Sequence, residues 1–103
     1  MNELQVFKND LFCELRTVMR YGKPWFSSTD VCRALGIGRP AVWKINIDEK
    51  GLHSTQTLAG DRHYVEIVNE YGLYALILGS CKPEARAYLY WIIHDVLPAI
   101  GKL

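Results

Sequence analysis

Long apolar runs are missing from this sequence. The longest, residues 73–78, falls far short of the ~20 residues that a helix needs to cross a bilayer. The N-terminus also lacks the basic segment followed by an apolar segment that marks a secretion signal. We therefore expect a cytoplasmic protein, associated with the nucleoid if it binds DNA, and no membrane partner.

Cysteine is scarce, and metal-ligating residues are not grouped. Cys13, Cys32 and Cys81 are odd in number and lack the short paired spacing of a zinc site. His94 and Asp95 are adjacent, but neighbouring positions on a helix point in different directions and do not share a ligand easily. We expect reduced, mostly buried thiols, no metal and no cofactor.

Motifs for catalysis are also absent. The sequence has no serine elbow, and no cysteine has a histidine placed by a recognisable motif. Residues 36–38, Gly-Ile-Gly, lack the third glycine of a dinucleotide-binding loop and are better interpreted as a turn. An enzyme is therefore the least favoured class of protein.

The composition is that of an ordinary globular protein. Of the 103 residues, 50% are hydrophobic and 22% are charged, which argues against a disordered or fibrous chain. This length allows one hydrophobic core, so we expect a single domain over residues 1–103. The net charge of +1 neither supports nor excludes a nucleic-acid partner, and the distribution of charge must decide.

Alternation of polar and apolar residues predicts antiparallel strands. Residues 4–7 and 11–21 flank a polar turn, and a short strand at Trp25 and Phe26 follows a turn at residues 22–24. A second hairpin is predicted for two later segments, residues 54–58 and 62–68, which flank a turn containing Gly60.

The first half also carries the signals of a pair of short helices. Ser27 and Asp30 have the spacing of a capping box, which predicts a helix beginning at Ser28. Gly36 stands where a left-handed residue ends a helix. A second helix is predicted from Pro40, because proline at the first turn needs no backbone donor, and continues to residue 45.

Two closing helices follow the second hairpin. Asn69 can cap the first of them, which ends near Gly79. Pro83 begins the last helix, and Pro98 stops or kinks it after Leu97. Taken together, the elements predict an α+β domain with a small antiparallel sheet, hairpins and about four helices, including a helix-turn-helix-like pair.

The helix pair over residues 28–46 is the best candidate for binding duplex DNA, since the second helix of such a pair can enter a major groove. The ionisable side chains between residues 31 and 47 are Arg33, Arg39 and Lys44, and all are positive, so they can contact phosphates. Asn46 could read adenine if the helix extends that far. The alternative is a helical hairpin that merely exposes a few basic residues. Trp43 either packs in the core or stacks on the nucleic acid.

Arg62 and His63 lie near the turn of the second hairpin and could follow a DNA backbone or enter a minor groove. A solvated hairpin tip is the alternative, and Asp61 dilutes the positive charge there.

Two blocks of sequence resemble one protein family. The pattern Asn-Glu-x-Gly-Leu-Tyr-x-Leu-Ile, then Lys-Pro-Glu-Ala, a Trp and Val-Leu-Pro-x-Ile, is found in the Bro-N domain of phage antirepressors and viral BRO proteins. The chain matches it at Asn69, Glu70, Gly72, Leu73, Tyr74, Leu76, Ile77, Lys82, Pro83, Glu84, Ala85, Trp91, Val96, Leu97, Pro98 and Ile100. An upstream block agrees at Pro24, Trp25, Phe26, Asp30, Val31, Ala34, Leu35, Gly36 and Pro40.

The resemblance implies a prophage antirepressor-type regulator of transcription, with operator-like duplex DNA as its partner. It also implies that a further C-terminal domain often follows Bro-N in longer relatives.

The last helix departs from the family pattern. At Ala87, Leu89 and Tyr90 the family commonly carries polar or basic residues, whereas this chain is apolar. An apolar face of this kind typically marks a protein partner, so we expect a homodimer contact. The residues predicted for it are Leu89, Tyr90, Ile93 and Leu97. Alternatively, these residues pack beneath the N-terminal hairpin of the same subunit. The departure also supports a second function, a module that binds a repressor protein with little DNA binding of its own.

Overall fold

The computed structural model describes residues 4–38, 40–43, 45–56, 60, 62–80 and 82–100. Five strands form one antiparallel sheet in the order β1-β2-β3-β5-β4. Their bounds are β1 Gln5–Asn9, β2 Cys13–Arg20, β3 Lys23–Ser27, β4 Lys50–Gln56 and β5 Arg62–Val68. The two predicted groups of strands are therefore joined, because β3 pairs with β5 through Phe26 opposite Val68 and Ser27 opposite Ile67.

The turn between β2 and β3 lies one residue earlier than predicted. Tyr21 and Gly22 form it, with φ angles of 55° and 74°. Positive φ at both central residues is the conformation of a type I′ turn, which matches the twist of a two-residue hairpin. As a result, Lys23 and Pro24 belong to β3, opposite Arg20 and Met19.

The helices follow the predicted order. They are α1 Ser28–Leu35, α2 Pro40–Trp43, α3 Glu70–Leu78, α4 Glu84–Trp91 and α5 Leu97–Ala99, with a π-helical turn at Ile92–Val96 between the last two. The predicted caps are confirmed: the Ser27 hydroxyl accepts from the Asp30 amide at 3.3 Å, and the Asn69 side chain accepts from the Gly72 amide at 2.9 Å. Gly36 is left-handed, with φ of 66°.

Two helix details differ from the prediction. Within the described residues three helices exceed one turn, rather than about four, because α2 ends at Trp43 instead of reaching Ile45. Pro98 was predicted to stop or kink the last helix after Leu97, and it does not stop the helix, which continues as α5 to Ala99. The preceding turn widens instead, so that the Leu97 amide donates to the Ile92 carbonyl, five residues back. Such a π-helical turn is one way to accommodate a proline that lacks its own donor.

The main core lies between the helices and one face of the sheet. Leu15, Phe26 and Val68 of the sheet pack with the buried side chains of α1, α3 and α4. A cluster of Phe12, Tyr88 and Trp91 closes one part of it, with ring centroids between 5.0 and 6.1 Å apart. Aromatic pairs at this spacing add to the free energy gained from burial alone.

The opposite face of the sheet carries a smaller cluster of Val18, Val65 and Ile67, with Leu4 and Trp25 packed against it. We call this side the outer face. None of the helices among the described residues is long and apolar enough to cross a membrane.

The expectation of mostly buried thiols is only partly right. Cys32 is buried in the core, but Cys13 is exposed at the start of β2. Cys13 directly follows the β1–β2 turn and has φ of 61°. Its side chain therefore does not follow the alternation of buried and exposed residues along β2. Cys81 lies outside the described residues.

Candidate nucleic-acid interface

The first turn of α1 is fixed to the sheet by a buried ion pair. Asp30 is 1% exposed, and its two carboxylate oxygens accept from Arg16 Nε at 2.9 Å and Arg16 Nη2 at 3.0 Å. The Arg16 backbone amide also donates to Asp30 at 2.9 Å. The hydrogen bonds with Asp30 raise the pKa of Arg16, despite its partial burial. This bidentate contact joins β2 to α1 and sets the position of the helix.

Arg33, one turn further along α1, is the described member of the predicted cationic face. Its Nη1 lies 3.6 Å from Asp30 Oδ1, and its side chain is 58% exposed. Because Arg16 already occupies both oxygens of Asp30, this contact is the weaker of the two. The guanidinium of Arg33 is therefore accessible to a ligand.

Lys82 reaches the end of α1 from a different part of the chain. At the end of α1 the Gly36 amide donates to the Arg33 carbonyl, and the Ile37 amide donates to the Cys32 carbonyl. The Nζ of Lys82 lies where a side chain of residue 36 would begin, so only glycine leaves room for it. Lys82 thus lies at the turn after α1, whereas the Arg33 guanidinium lies back along the helix, beside Asp30.

The predicted DNA contacts Arg39 and Lys44 lie outside the described residues, as does the side chain of Trp43. Asn46 is exposed just before a single 3₁₀ turn at Ile47–Glu49, and its side chain makes no capping hydrogen bond there. A base contact by Asn46 was predicted only if the second helix extends that far. The structure places it in the loop beyond α2, because α2 has ended by then.

Arg62 and His63 lie on an extension of the sheet. Because β3 pairs only with the end of β5, residues 62–66 pair with β4 alone and form a two-stranded ribbon, the β4–β5 arm, whose base packs on the rest of the sheet through Val65. Both side chains are exposed, and Arg62 Nη1 donates to Ser54 Oγ at 3.0 Å. These two residues therefore belong to a separate element from Arg33 and Lys82.

An apolar groove separates α3 from the end of α4. Its volume is about 370 Å³, and it is lined by Tyr74, Ile77, Leu78, Leu89 and Ile93. Leu78 on its rim is 84% exposed. Two of the four predicted dimer residues, Leu89 and Ile93, line the groove.

The other two predicted dimer residues lie on the same stretch of chain. Tyr90 is 65% exposed and its ring lies 3.9 Å from that of His94, while Leu97 is half-buried. Sequence reasoning missed the α3 residues of the groove. The available signal was that α3 is almost wholly apolar after its first turn, on more sides than one buried stripe needs.

The residues present do not suggest a metal centre. Within the described ranges no three His, Cys, Asp or Glu side chains are close enough together to hold a metal ion.

The fold defines an α+β domain in which one face of an antiparallel sheet packs against helices, and a helix pair lies at its side with Lys82 over the turn after α1. Residues 14–98 match the model of the BRO family, N-terminal domain. The chain therefore belongs to the Bro-N family.

One relative is an uncharacterized protein of Haemophilus influenzae (strain ATCC 51907 / DSM 11121 / KW20 / Rd), 38% identical over 85 residues. The match covers 79% of this chain and 41% of the relative, so the chain spans about two fifths of that protein's length. No solved structure matches the chain.

Proposed function

We propose that this Bro-N domain is a prophage antirepressor-type regulator of transcription that binds duplex DNA through the edge formed by α1, α2 and the turn between them. We call this edge the α1–α2 edge. It acts by binding rather than by catalysis, in the cytoplasm and on the nucleoid, and its partner is operator-like DNA.

The observation that carries the proposal is that Lys82, from a distant segment, reaches the turn that follows α1. Lys82 is exposed over Gly36, Arg33 is exposed on the last turn of α1, and the sequence between Val31 and Ile47 contains no acidic residue. Positive side chains on one part of a surface attract phosphates even when the whole molecule is nearly neutral.

Each predicted residue has a role in this proposal. Arg33 and Lys82 contact the phosphate backbone, together with Arg39 and Lys44, which follow the turn in sequence. Asn46, exposed beyond α2, contacts a base edge or a sugar. Arg62 and His63 provide a second contact through the β4–β5 arm, since a two-stranded ribbon can enter a groove.

The salt dependence of binding tests the proposal. The affinity for a labelled duplex should fall steeply as salt rises, because each neutralised phosphate releases counterions. Arg39→Ala combined with Lys44→Ala should lower the slope of log K against log salt by about two. Arg86→Ala, which removes one exposed cation from α4, should leave the slope unchanged. Weak binding that does not depend on salt would contradict the proposal.

The apolar groove favours a second function, a protein-interaction module. In this version the groove and the last helix bind another protein, either a phage repressor or a second copy of this chain. Leu78 is 84% exposed and Ile93 44% exposed at a groove whose lining offers no polar surface. A two-fold contact could place Leu78 of each protomer in the groove of the other, together with Leu89, Tyr90, Ile93 and Leu97.

Size-exclusion chromatography with light scattering tests this second function. We expect the wild-type chain to elute as a dimer and Leu78→Glu to elute as a monomer, because a buried carboxylate without a partner is costly. Leu11→Glu is the matched control, since Leu11 is 80% exposed in the β1–β2 turn, away from the groove. A monomeric wild-type protein would remove the support for the two-fold contact.

A further inference from the structure

The outer face of the sheet carries a second group of basic and aromatic side chains, distinct from the α1–α2 edge. The group consists of Arg20 and Tyr21 at the end of β2, Lys23 and Trp25 in β3, and Gly51 in β4. Arg20 and Lys23 are directly opposite each other in the β2–β3 pair. Val18 is opposite Trp25 in the same pair, and both belong to the outer-face cluster. We call these five residues the outer-face site.

Arg20 lies against two aromatic rings. Its guanidinium carbon is 5.5 Å from the centroid of the Trp25 ring and 5.9 Å from that of Tyr21. Contacts of this kind attract the cation to the ring and limit the conformations of the long side chain. The charge of Arg20 is therefore held at one place on the surface.

Gly51 provides the space that Arg20 occupies. A side chain built at Gly51 would meet Arg20 Nη1 at 2.7 Å, so the guanidinium extends over Ile67 to the backbone of β4. Because Gly51 has no side chain, the guanidinium can approach the backbone of β4 closely.

Among the described residues, the cations of this site form no ion pair. In the part of the chain that the structure describes, the ion pairs join Arg16 and Arg33 to Asp30, and neither Arg20 nor Lys23 has a carboxylate partner. Lys23 is exposed, and Tyr21 is 89% exposed. The site thus combines two available positive charges with an aromatic ring that protrudes into solvent.

We propose that the outer-face site binds single-stranded nucleic acid, with a base stacked on Tyr21 and the adjoining phosphates held by Arg20 and Lys23. The pairing of fixed cations with an exposed ring favours this ligand. A phosphate backbone alone would need only the charges, whereas an unpaired base also needs a flat π surface. The bases of an intact duplex are stacked within the helix and cannot reach Tyr21. This activity is independent of the duplex binding proposed above.

Fluorescence anisotropy with a labelled thymidine oligonucleotide tests the site. Tyr21→Asn should weaken binding about tenfold, since stacking of a base on an aromatic ring contributes ~1–3 kcal/mol. Asparagine tolerates the left-handed conformation that the turn requires, so the hairpin should be retained. Arg20→Gln should weaken binding and reduce its salt dependence. Gly51→Ala should weaken it by displacing the guanidinium from Trp25.

The matched control is Tyr71→Asn, because Tyr71 is 71% exposed on α3, far from the outer face in sequence and on a different element. It should bind the oligonucleotide as the wild type does. Circular dichroism establishes that each variant is folded. Wild-type protein that does not bind the oligonucleotide, or folded Tyr21→Asn and Arg20→Gln variants that bind it unchanged, would overturn the proposal.

A parallel titration with a labelled duplex separates this proposal from the previous one. Arg39→Ala with Lys44→Ala should weaken duplex binding and spare the oligonucleotide. Tyr21→Asn should do the reverse. Loss of both activities in every variant would overturn the assignment of a separate outer-face site.

Discussion

At the scale of single residues, the contact between Arg16 and Asp30 determines where the candidate interface lies. Asp30 is nearly inaccessible to water and depends on Arg16 for both of its oxygens. A buried charge that loses its partner costs much more than an exposed one. The same carboxylate also faces Arg33, so a change in this pair affects both stability and the proposed phosphate contacts.

Arg16→Ala should lower the free energy of unfolding by about 3 kcal/mol. This value is at the low end of the range for removing one partner of a buried ion pair, because the Arg16 side chain is itself 29% exposed. Urea unfolding followed by tryptophan fluorescence measures the change. Arg33→Ala is the control and should cost less than about 1 kcal/mol, since that side chain is largely in solvent. Equal losses in the two variants would show that Asp30 does not depend on Arg16.

Tyr88 presents the opposite case, a buried polar group without a partner. Its side chain is 1% exposed, and its hydroxyl has no hydrogen-bond partner within the described residues. Burial, and then the negative charge of Asp30, raise the pKa of Tyr88 well above its usual value. We expect Tyr88→Phe to leave stability unchanged or to increase it by about 1 kcal/mol. The buried hydroxyl loses its hydrogen bonds to water on folding without gaining a partner, and phenylalanine does not have this cost.

The same residue gives a prediction about pH. The unfolded chain releases the Tyr88 proton near pH 10.0, whereas the folded protein retains it to higher pH, so stability should fall as pH rises above that value. In Tyr88→Phe the decline should be shallower. Tyr74, whose pKa is also raised by burial and by Glu70, should account for part of the remaining slope. Identical pH profiles for the two proteins would contradict this explanation.

At the scale of the elements, local signals and long-range contacts differ in how far the sequence predicts them. The caps at Ser27 and Asn69 and the left-handed Gly36 follow from a few neighbouring residues, and all three were predicted correctly. The join of β3 to β5 and the position of Lys82 over Gly36 depend on the whole fold, and no local pattern specifies them. The early end of α2 was missed because the residues before Ile45 suit a helix well enough by propensity.

Gly36→Ala tests how the turn after α1 supports the interface. Alanine with φ of 66° should cost about 1–2 kcal/mol, and its side chain should displace Lys82 from the turn. We therefore expect both lower stability and weaker duplex binding. Gly22→Ala is the matched control, since Gly22 has φ of 74° but nothing within 4 Å of its missing side chain. It should lose stability while its duplex binding stays the same.

At the scale of the whole molecule, the proposed DNA contacts and the proposed protein contact use different residues. The proposed duplex contacts lie at the α1–α2 edge and the β4–β5 arm, whereas the proposed protein contact lies in the groove between α3 and α4. The two functions can therefore coexist in one domain. In a two-fold dimer, a pair of α1–α2 edges spaced about one turn of duplex, ~34 Å, would bind successive grooves on one side of the DNA.

The molecular scale is also where the sequence was least informative. A net charge of +1 does not reveal where the charges lie, because Lys82 reaches the end of α1 only through folding. The apolar residues of the last helix were identified from their departure from the family pattern. Their α3 counterparts, including Leu78, are adjacent to them only in three dimensions.

The location of duplex binding is tested most directly by following backbone amide chemical shifts in two-dimensional NMR while a short duplex is added at low salt. The largest changes should occur at Arg33, Gly36 and Lys82, with smaller ones along the β4–β5 arm. They should diminish as salt is raised. Changes concentrated at Tyr74, Leu78 and Ile93, with those at Gly36 and Lys82 unaffected, would contradict DNA binding by the α1–α2 edge.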